Sequence, residues 1–282
     1  MKKLNRVIFN GALYAILQGV AMTSLSSNAF AQRGSMDPGN PSSFTNPTQG
    51  FPGFFDTNMA EHGTLVVEWP PLLLPFIPMP SLAVDYGVSD TFTVGTNALV
   101  STLPWLFGAK GISLKARTLV QGSATSQSVA TVYGGYLAGT DFSTQWQILT
   151  SNNAWKLAPK HIISAQAMFL NFGLEIGKQK NLNYTNLRFS SLSIGGGYQY
   201  LFSDTAALST YVLAAAATSL EADTVAANLS ADLNASSGQT SWGITRASLD
   251  LRSEDWVYSL GGVYSFGTIN MVVPWLSATR RW

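Results

Sequence analysis

Two histidines, His62 and His161, are the only imidazoles in the chain, so base-assisted hydrolysis would have to be built around one of them. Such a site needs a nucleophilic hydroxyl within hydrogen-bond reach of the ring and an acid to orient it. Neither histidine has a Ser/Asp pattern of recognised spacing beside it, and the two fall in separate connections between periodic segments. Metal chemistry has equally thin support. The chain contains no cysteine, which excludes thiolate ligands and nucleophiles. The acidic groups Glu221-Ala222-Asp223 and Ser253-Glu254-Asp255 read as solvated loops. Gly195-Gly196-Gly197 lies within a strand pattern and opens no helix, so it is no phosphate cradle; it lets a strand bend or pack closely. No catalytic residue, metal or cofactor is expected, and the chain is expected not to be an enzyme. The charges of positional interest are Asp85, Lys115 and Arg117, which share a face with small polar residues. Where that face points depends on the elements that carry it.

The first residues, MKKLNRVIFNGALYAILQGVAMTSLSSNAFAQ, place Lys2, Lys3 and Arg6 ahead of an apolar stretch and end in Ala29-Phe30-Ala31. That is the layout of an export signal cleaved near Ala31. Composition points the same way. The chain is 46% hydrophobic, 12% aromatic and only 11% charged, with 25 glycines and a net charge of +1. Soluble proteins carry about 25% charged residues, so this chain has too few to cover an ordinary wet surface. Near-neutral charge gives no footing for nucleic acid. Beyond the signal no apolar run is long enough for a spanning helix. The other structure that satisfies its backbone inside lipid is a closed β-barrel.

Residues 32–62 are rich in Gly, Pro, Ser and Asn without a period, an irregular leader whose apolar exception is Phe51-Pro52-Gly53-Phe54-Phe55. Two readings of that exception stand: a mobile tail, or a plug docked into the barrel or at its rim. From Gly63 onward the period becomes two. Leu82, Val84 and Tyr86 alternate with Ser81, Ala83 and Asp85; Phe92 and Val94 alternate with Thr91 and Thr93. Ile112, Leu114 and Ala116 oppose Ser113, Lys115 and Arg117. Later, Trp256, Tyr258, Leu260 and Tyr264 oppose Val257, Ser259, Gly261 and Ser265. A soluble sandwich also alternates, but its wet face carries many Lys and Glu. Here the polar face is Ser, Thr, Gly, Gln and Asn, which suits a confined lumen.

The predicted architecture is therefore all-β, a transmembrane antiparallel β-barrel of about twelve strands, with ten or fourteen as alternatives. The segments are 63–69, 79–88, 91–100, 110–121, 126–138, 142–150, 161–175, 184–201, 206–220, 241–252, 256–266 and 269–282. The domain order is a signal peptide at 1–31, the leader at 32–62 and the barrel at 63–282. VSD, GSAT, FSDT and RSED are short turns at one end. Longer connections lie at the other, EADTVAANLSADLNASSGQTS being the longest, while SNNAWKLAPK is read as a long connection where a turn belongs. A ring of this size has a backbone radius of about 12 Å, so the lumen is narrow. Lys115 and Arg117 then either bias it towards anions or pair with Asp85.

The signal, the amphipathic strands, the short turns and the terminal aromatic Trp282 resemble a Gram-negative outer-membrane β-barrel protein of porin-like type. In that class the last strand ends in an aromatic residue and alternates apolar positions that the barrel-assembly machinery reads. INMVVPWLSATRRW departs from the pattern at Pro274 and Arg280. More weakly, size and character are similar to the lipid-enclosing, ring-forming porin-like proteins of predatory bacteria. That resemblance implies a homo-oligomer that encloses membrane lipid. It rests on two apolar connections. The first is WPPLLLPFIPMP, with Leu72, Leu73, Leu74, Phe76 and Ile77; the second holds Trp105, Leu106 and Phe107. Proline keeps the first out of a helix or an inner strand. Burying each large side chain contributes about 1.5–3 kcal/mol, so these loops are expected to fold into the mouth, meet a neighbouring subunit or dip into lipid; the alternative for the first is an irregular first strand covered by the N-terminal leader. The expected function is membrane permeability or lipid organisation in the outer membrane, the alternative a non-conducting structural or adhesive barrel.

Overall fold

A computed structural model describes residues 59–69, 82–106, 108–123, 125–178, 183–226, 229–235, 242–267 and 270–281. Among the described residues thirteen strands and one helix follow in order. They are β1 (Leu65–Trp69), β2 (Ala83–Ser89), β3 (Phe92–Asn97), α1 (Ala98–Leu106), β4 (Lys110–Gly122), β5 (Ser126–Ala138) and β6 (Phe142–Ala158). The rest are β7 (His161–Lys178), β8 (Asn183–Ser203), β9 (Ala206–Ala226), β10 (Leu229–Ala235), β11 (Gly243–Ser253), β12 (Trp256–Phe266) and β13 (Met271–Arg281).

Every strand pairs antiparallel with its neighbours, and the sheet closes on itself. β1 pairs with β13, Val66 opposite Arg281 and Trp69 opposite Ala278. β9 has β8 on one side and, on the other, β11 along its lower half and β10 along its upper half. β10 is thus an upward continuation of the β11 position, and the closed ring has twelve strands, as the sequence predicts. Among the described residues no helix is long and apolar enough to cross a membrane. The crossing is made by strands.

Alternation sets what faces where. Tyr86, Val94, Leu114, Ile194, Leu260 and Leu276 are exposed on the outer wall, while Thr93, Ser113, Gln166, Ser193 and Ser259 are buried on the inner face. At the tight-turn end the outer wall carries an aromatic belt. Tyr200 and Phe202 meet edge to face at 5.1 Å, and Trp256 stacks on Tyr258 at 5.7 Å. Arg280, out of place in an apolar pattern, lies in this belt with its guanidinium 5.3 Å from the Trp256 ring centre. There its stem can lie along apolar wall while the charge reaches water. Pro274 pairs with Gly262 on β12, beyond the last β1–β13 pair among the described residues.

Three segments depart from the sequence reading. The third strand, expected to reach residue 100, stops at Asn97 because the Asn97 side chain caps a helix. Its Oδ1 accepts from the backbone N–H of Leu99 at 3.1 Å and of Val100 at 3.2 Å, which satisfies donors that a helix start leaves open. The second apolar connection is therefore largely α1. SNNAWKLAPK is not a long connection: β6 runs through to Ala158 and the turn is Pro159-Lys160. Its Asn152 faces inward and accepts from Gln166 Nε2 at 2.7 Å. The longest expected loop is mostly the β9–β10 hairpin, paired from Leu220–Ala235 to Ala226–Leu229.

The wall is uneven in height. β1, β2 and β3 have 5, 7 and 6 residues, whereas β8 and β9 have 21 each. A membrane-crossing strand needs roughly 9–11 residues, so among the described residues β1–β3 fall short of that length and β8–β9 exceed it. Above the low side α1 packs on β4. The Trp105 indole donates to the Gly111 carbonyl at 3.0 Å, and the Ser113 backbone N–H donates to Ser101 Oγ at 3.2 Å. These bonds occupy edge groups of β4 that β3 no longer reaches. Replacing Asn97 by Ala should lower stability by about 1 kcal/mol, read as an earlier thermal midpoint in detergent by circular dichroism, with Asn97→Asp close to the parent; equal midpoints for all three would contradict the cap.

Candidate functional site

The lumen is built from one side chain in two along each strand, and register decides which of them meet. Asp85 on β2 stands opposite Gly95 on β3, and Gly95 stands opposite Lys115 on β4. The Lys115 ammonium reaches across the intervening strand to the Asp85 carboxylate at 2.5 Å. Gly95 permits this. A Cβ there would lie 1.9 Å from Asp85 Oδ1. Arg117 lies two residues on from Lys115, opposite Thr93. The three charges marked in the sequence thus share one patch of inner wall, with Asp85 2% exposed.

A second charged group was not foreseen. Arg246, Ser248 and Asp250 alternate along β11 and are buried on its inner face. Arg246 Nη2 lies 3.5 Å from Asp250 Oδ1 and donates to Ser248 Oγ at 2.8 Å, while Ser248 Oγ donates to Asp250 at 3.1 Å. Ser209 Oγ on β9 donates to the other carboxylate oxygen, and Gln199 Nε2 on β8 donates to Ser209 at 3.0 Å. The Arg246 guanidinium stacks 4.1 Å from the Trp275 ring centre on β13. The available signal was the stretch RASLD, which puts opposite charges four apart on a face that is otherwise nearly uncharged.

Near the tight-turn end the lumen becomes apolar. Ala154, Ile162, Leu201, Ala207 and Val257 form one cluster, each no more than 6% exposed. Each lies within a few residues of a tight turn of β6–β9 or of β11–β12. Together they make an oily layer beneath the polar one. Several of the buried polar groups are bonded to one another, as in Asp85–Lys115, Gln166–Asn152 and Gln199–Ser209, the condition under which such groups are tolerated, while others, such as the Thr131 and Thr144 hydroxyls, have no partner among the described residues.

The histidines lie elsewhere. His62 Nδ1 meets the Val88 carbonyl at 2.8 Å at the tight-turn end. His161 Nδ1 meets the Tyr198 hydroxyl at 2.7 Å, and its ring lies 5.2 Å from Tyr200. Neither contact brings a serine hydroxyl to the ring. Among the described residues no three His, Asp or Glu side chains gather as a metal site would require. Gly195-Gly197 lies inside β8, paired with both β7 and β9.

Of the apolar connections, Trp105 and Leu106 are on α1 and are 59% and 76% exposed. Leu72, Leu73, Leu74, Phe76, Ile77 and Phe107 lie outside the described residues, as do the signal peptide, the leader before Met59 and Trp282. A closed antiparallel ring of even strand number, apolar outside and polar within, is the outer-membrane β-barrel class.

No family model and no curated protein matches the chain. Among solved structures it is similar to the monoaromatic hydrocarbon channel CymD, at 10% identity and TM-score 0.42, over 80% of this chain and 90% of that one. It is similar to the toluene transporter TodX of Pseudomonas putida, at 9% identity and TM-score 0.43, over 88% and 93%. The translocator domain of the autotransporter NalP from Neisseria meningitidis matches at 6% identity and TM-score 0.35, over 97% and 98%.

Replacing Lys115 by Met leaves the Asp85 charge buried without its partner and should destabilise by roughly 3–5 kcal/mol. The double variant Lys115→Met with Asp85→Asn should recover much of that loss in urea unfolding followed by tryptophan fluorescence; a double variant no better than the single one would rule out coupling between the two.

Proposed function

We propose that this barrel is a non-conducting structural protein of the outer membrane that acts through its outer wall and rim, as a homo-oligomer that organises lipid. Of the functions expected from sequence, this favours lipid organisation and the structural alternative over solute permeability. The carrying observation is the filled interior. A porin needs a continuous wet path, whereas Asp85, Ser193, Asp250 and Ser259 are each no more than 2% exposed, and the apolar cluster of Ile162, Leu201 and Val257 lies below them. The Gln166 and Gln199 amides bond across strands to Asn152 and Ser209.

The outer wall offers the working surface. On the low side, where β1–β3 have 5 to 7 residues, α1 presents Leu103, Trp105 and Leu106 outward. Apolar side chains that exposed fit hydrocarbon or a neighbouring subunit better than water. In this reading the partners are membrane lipid, further copies of the chain and, during insertion, the barrel-assembly machinery. The chain is exported with cleavage near Ala31, and catalysis, cofactors and nucleic acid have no part.

In planar bilayers the full mature chain should give no conductance steps at any voltage; a steady ohmic current would overturn the closed lumen. Native mass spectrometry from mild detergent should find an oligomer carrying phospholipid, and Trp105→Gln with Leu106→Gln should shift it towards monomer. A lipid-free monomer from the parent chain would remove the lipid-organising role.

A further inference from the structure

The outward face of β6 is out of keeping with the rest of the wall. Along this strand Thr144, Trp146, Thr150 and Asn152 are buried and point inward, and the Trp146 ring meets that of Tyr133 at 6.2 Å. The residues that alternate with them point outward and read Gln145, Gln147, Leu149, Ser151 and Asn153. Four of these five are polar, on a wall that elsewhere carries Leu114, Ile194, Leu260 and Leu276. Gln145 and Gln147 are exposed. On the β4–β5 side their cross-strand rows are apolar: Ile112 and Tyr136 lead to Gln145, and Leu114 and Gly134 lead to Gln147. Gln147 stands eight residues along β6 from Trp155, which pairs with Ile163 near the tight turn between β6 and β7. For a strand tilted by about 40° that is a rise of about 20 Å. Both levels fit within an apolar band about 25 Å tall.

Asn153 is satisfied within the chain, its Oδ1 accepting from Ser128 Oγ at 2.6 Å. Among the described residues the Gln145 and Gln147 amides have no such bond. An amide taken out of water without a hydrogen bond is costly, and acyl chains offer none. We infer that the outward face of β6 is where a second copy of this chain docks, its own Gln145 and Gln147 meeting these two across a two-fold axis. An amide both donates and accepts, so a face built on amides complements itself, as a two-fold contact requires. The approach is open. Gly134 stands beside Gln147 on β5, and Gly173 stands beside Gln145 on β7. Asn171, opposite Gln147 on β7, adds a third amide, which accepts from Ser190 Oγ at 3.5 Å. α1 borders the same face, since Trp105 donates to the carbonyl of Gly111, the residue before Ile112. The apolar residues that α1 turns outward thus flank the amides.

This contact rests on the homo-oligomer reading, and the two fail separately. A lipid-free monomer from the parent chain removes both, whereas an oligomer that lacks the β6 contact removes only the inference. The chain has no cysteine, so Leu149→Cys places a single thiol on the outward face of β6 and leaves the amides in place. Leu276→Cys places one on β13, across the ring. In the full mature chain in phospholipid vesicles, mild oxidation should convert most of the Leu149→Cys variant to a disulfide-linked dimer on a non-reducing gel. The Leu276→Cys variant should give at least fivefold less, and equal yields would overturn the inference. Adding Gln145→Leu and Gln147→Leu to Leu149→Cys should cut the dimer yield at least threefold while the barrel keeps its heat-modifiable mobility. A folded triple variant that cross-links as fully as the single one would also overturn it, and if the triple variant does not fold, the two single-cysteine yields decide alone.

Discussion

Inside hydrocarbon an unpaired backbone N–H or C=O has no water to turn to, and each costs several kcal/mol. Closure of the sheet answers that constraint, and other features of this chain follow from it. The first and last strands must meet, which they do through four residue pairs between β1 and β13. Where β1 and β3 stop short, their neighbours would be left with open edges. α1 folds against the upper half of β4, and its serine hydroxyl and indole N–H take up groups that a strand would otherwise have bonded. A helix in this position is a patch on a ladder.

The same constraint turns the usual arrangement of side chains inside out. Apolar residues such as Leu114, Leu260 and Leu276 lie outside, exposed, while Ser, Thr, Asn and Gln fill the interior. Polar groups of that kind are tolerated in a dry space when each finds a partner. Register supplies the partners. Asp85 reaches Lys115 because a glycine separates them on the intervening strand. Asp250 collects Ser209, Ser248 and Arg246 because β9 and β11 pair with Asp250 opposite Ala207. The inner face is thus polar above its apolar layer, and register decides which of its groups meet.

Most of the ring was legible in the sequence because its governing signal, a period of two with one oily face, survives along most strands. Phe92 and Val94 against Thr93, and the Ser203–Ala206 and Ser253–Trp256 turns, placed strands within a few residues of where they lie. What escaped did so for physical reasons. Asn152 and its neighbours look like loop residues only if polar means wet, which is false in this interior. α1 hid behind Pro104, a residue that argues against a helix. The top of β9 and all of β10 carry little oily alternation, EADTVA and LSADLNA, and so read as loop. Arg246 and Asp250 could be assigned to a face from sequence, but the serine and glutamine that join them come from strands about forty to fifty residues earlier, which only register brings alongside.

The unequal strand lengths also act on the surrounding lipid. A bilayer adjusts its thickness to the band of apolar wall it meets, at a modest elastic cost for each ångström of misfit. Beside strands of 5 to 7 residues it is drawn thin, and around the rest of the circumference it is not. In the proposed lipid-organising role, each barrel would carry a one-sided dimple in its leaflets, and two dimples that merged would strain less membrane than two kept apart. The fold gives an otherwise featureless cylinder a compass bearing in the plane of the membrane.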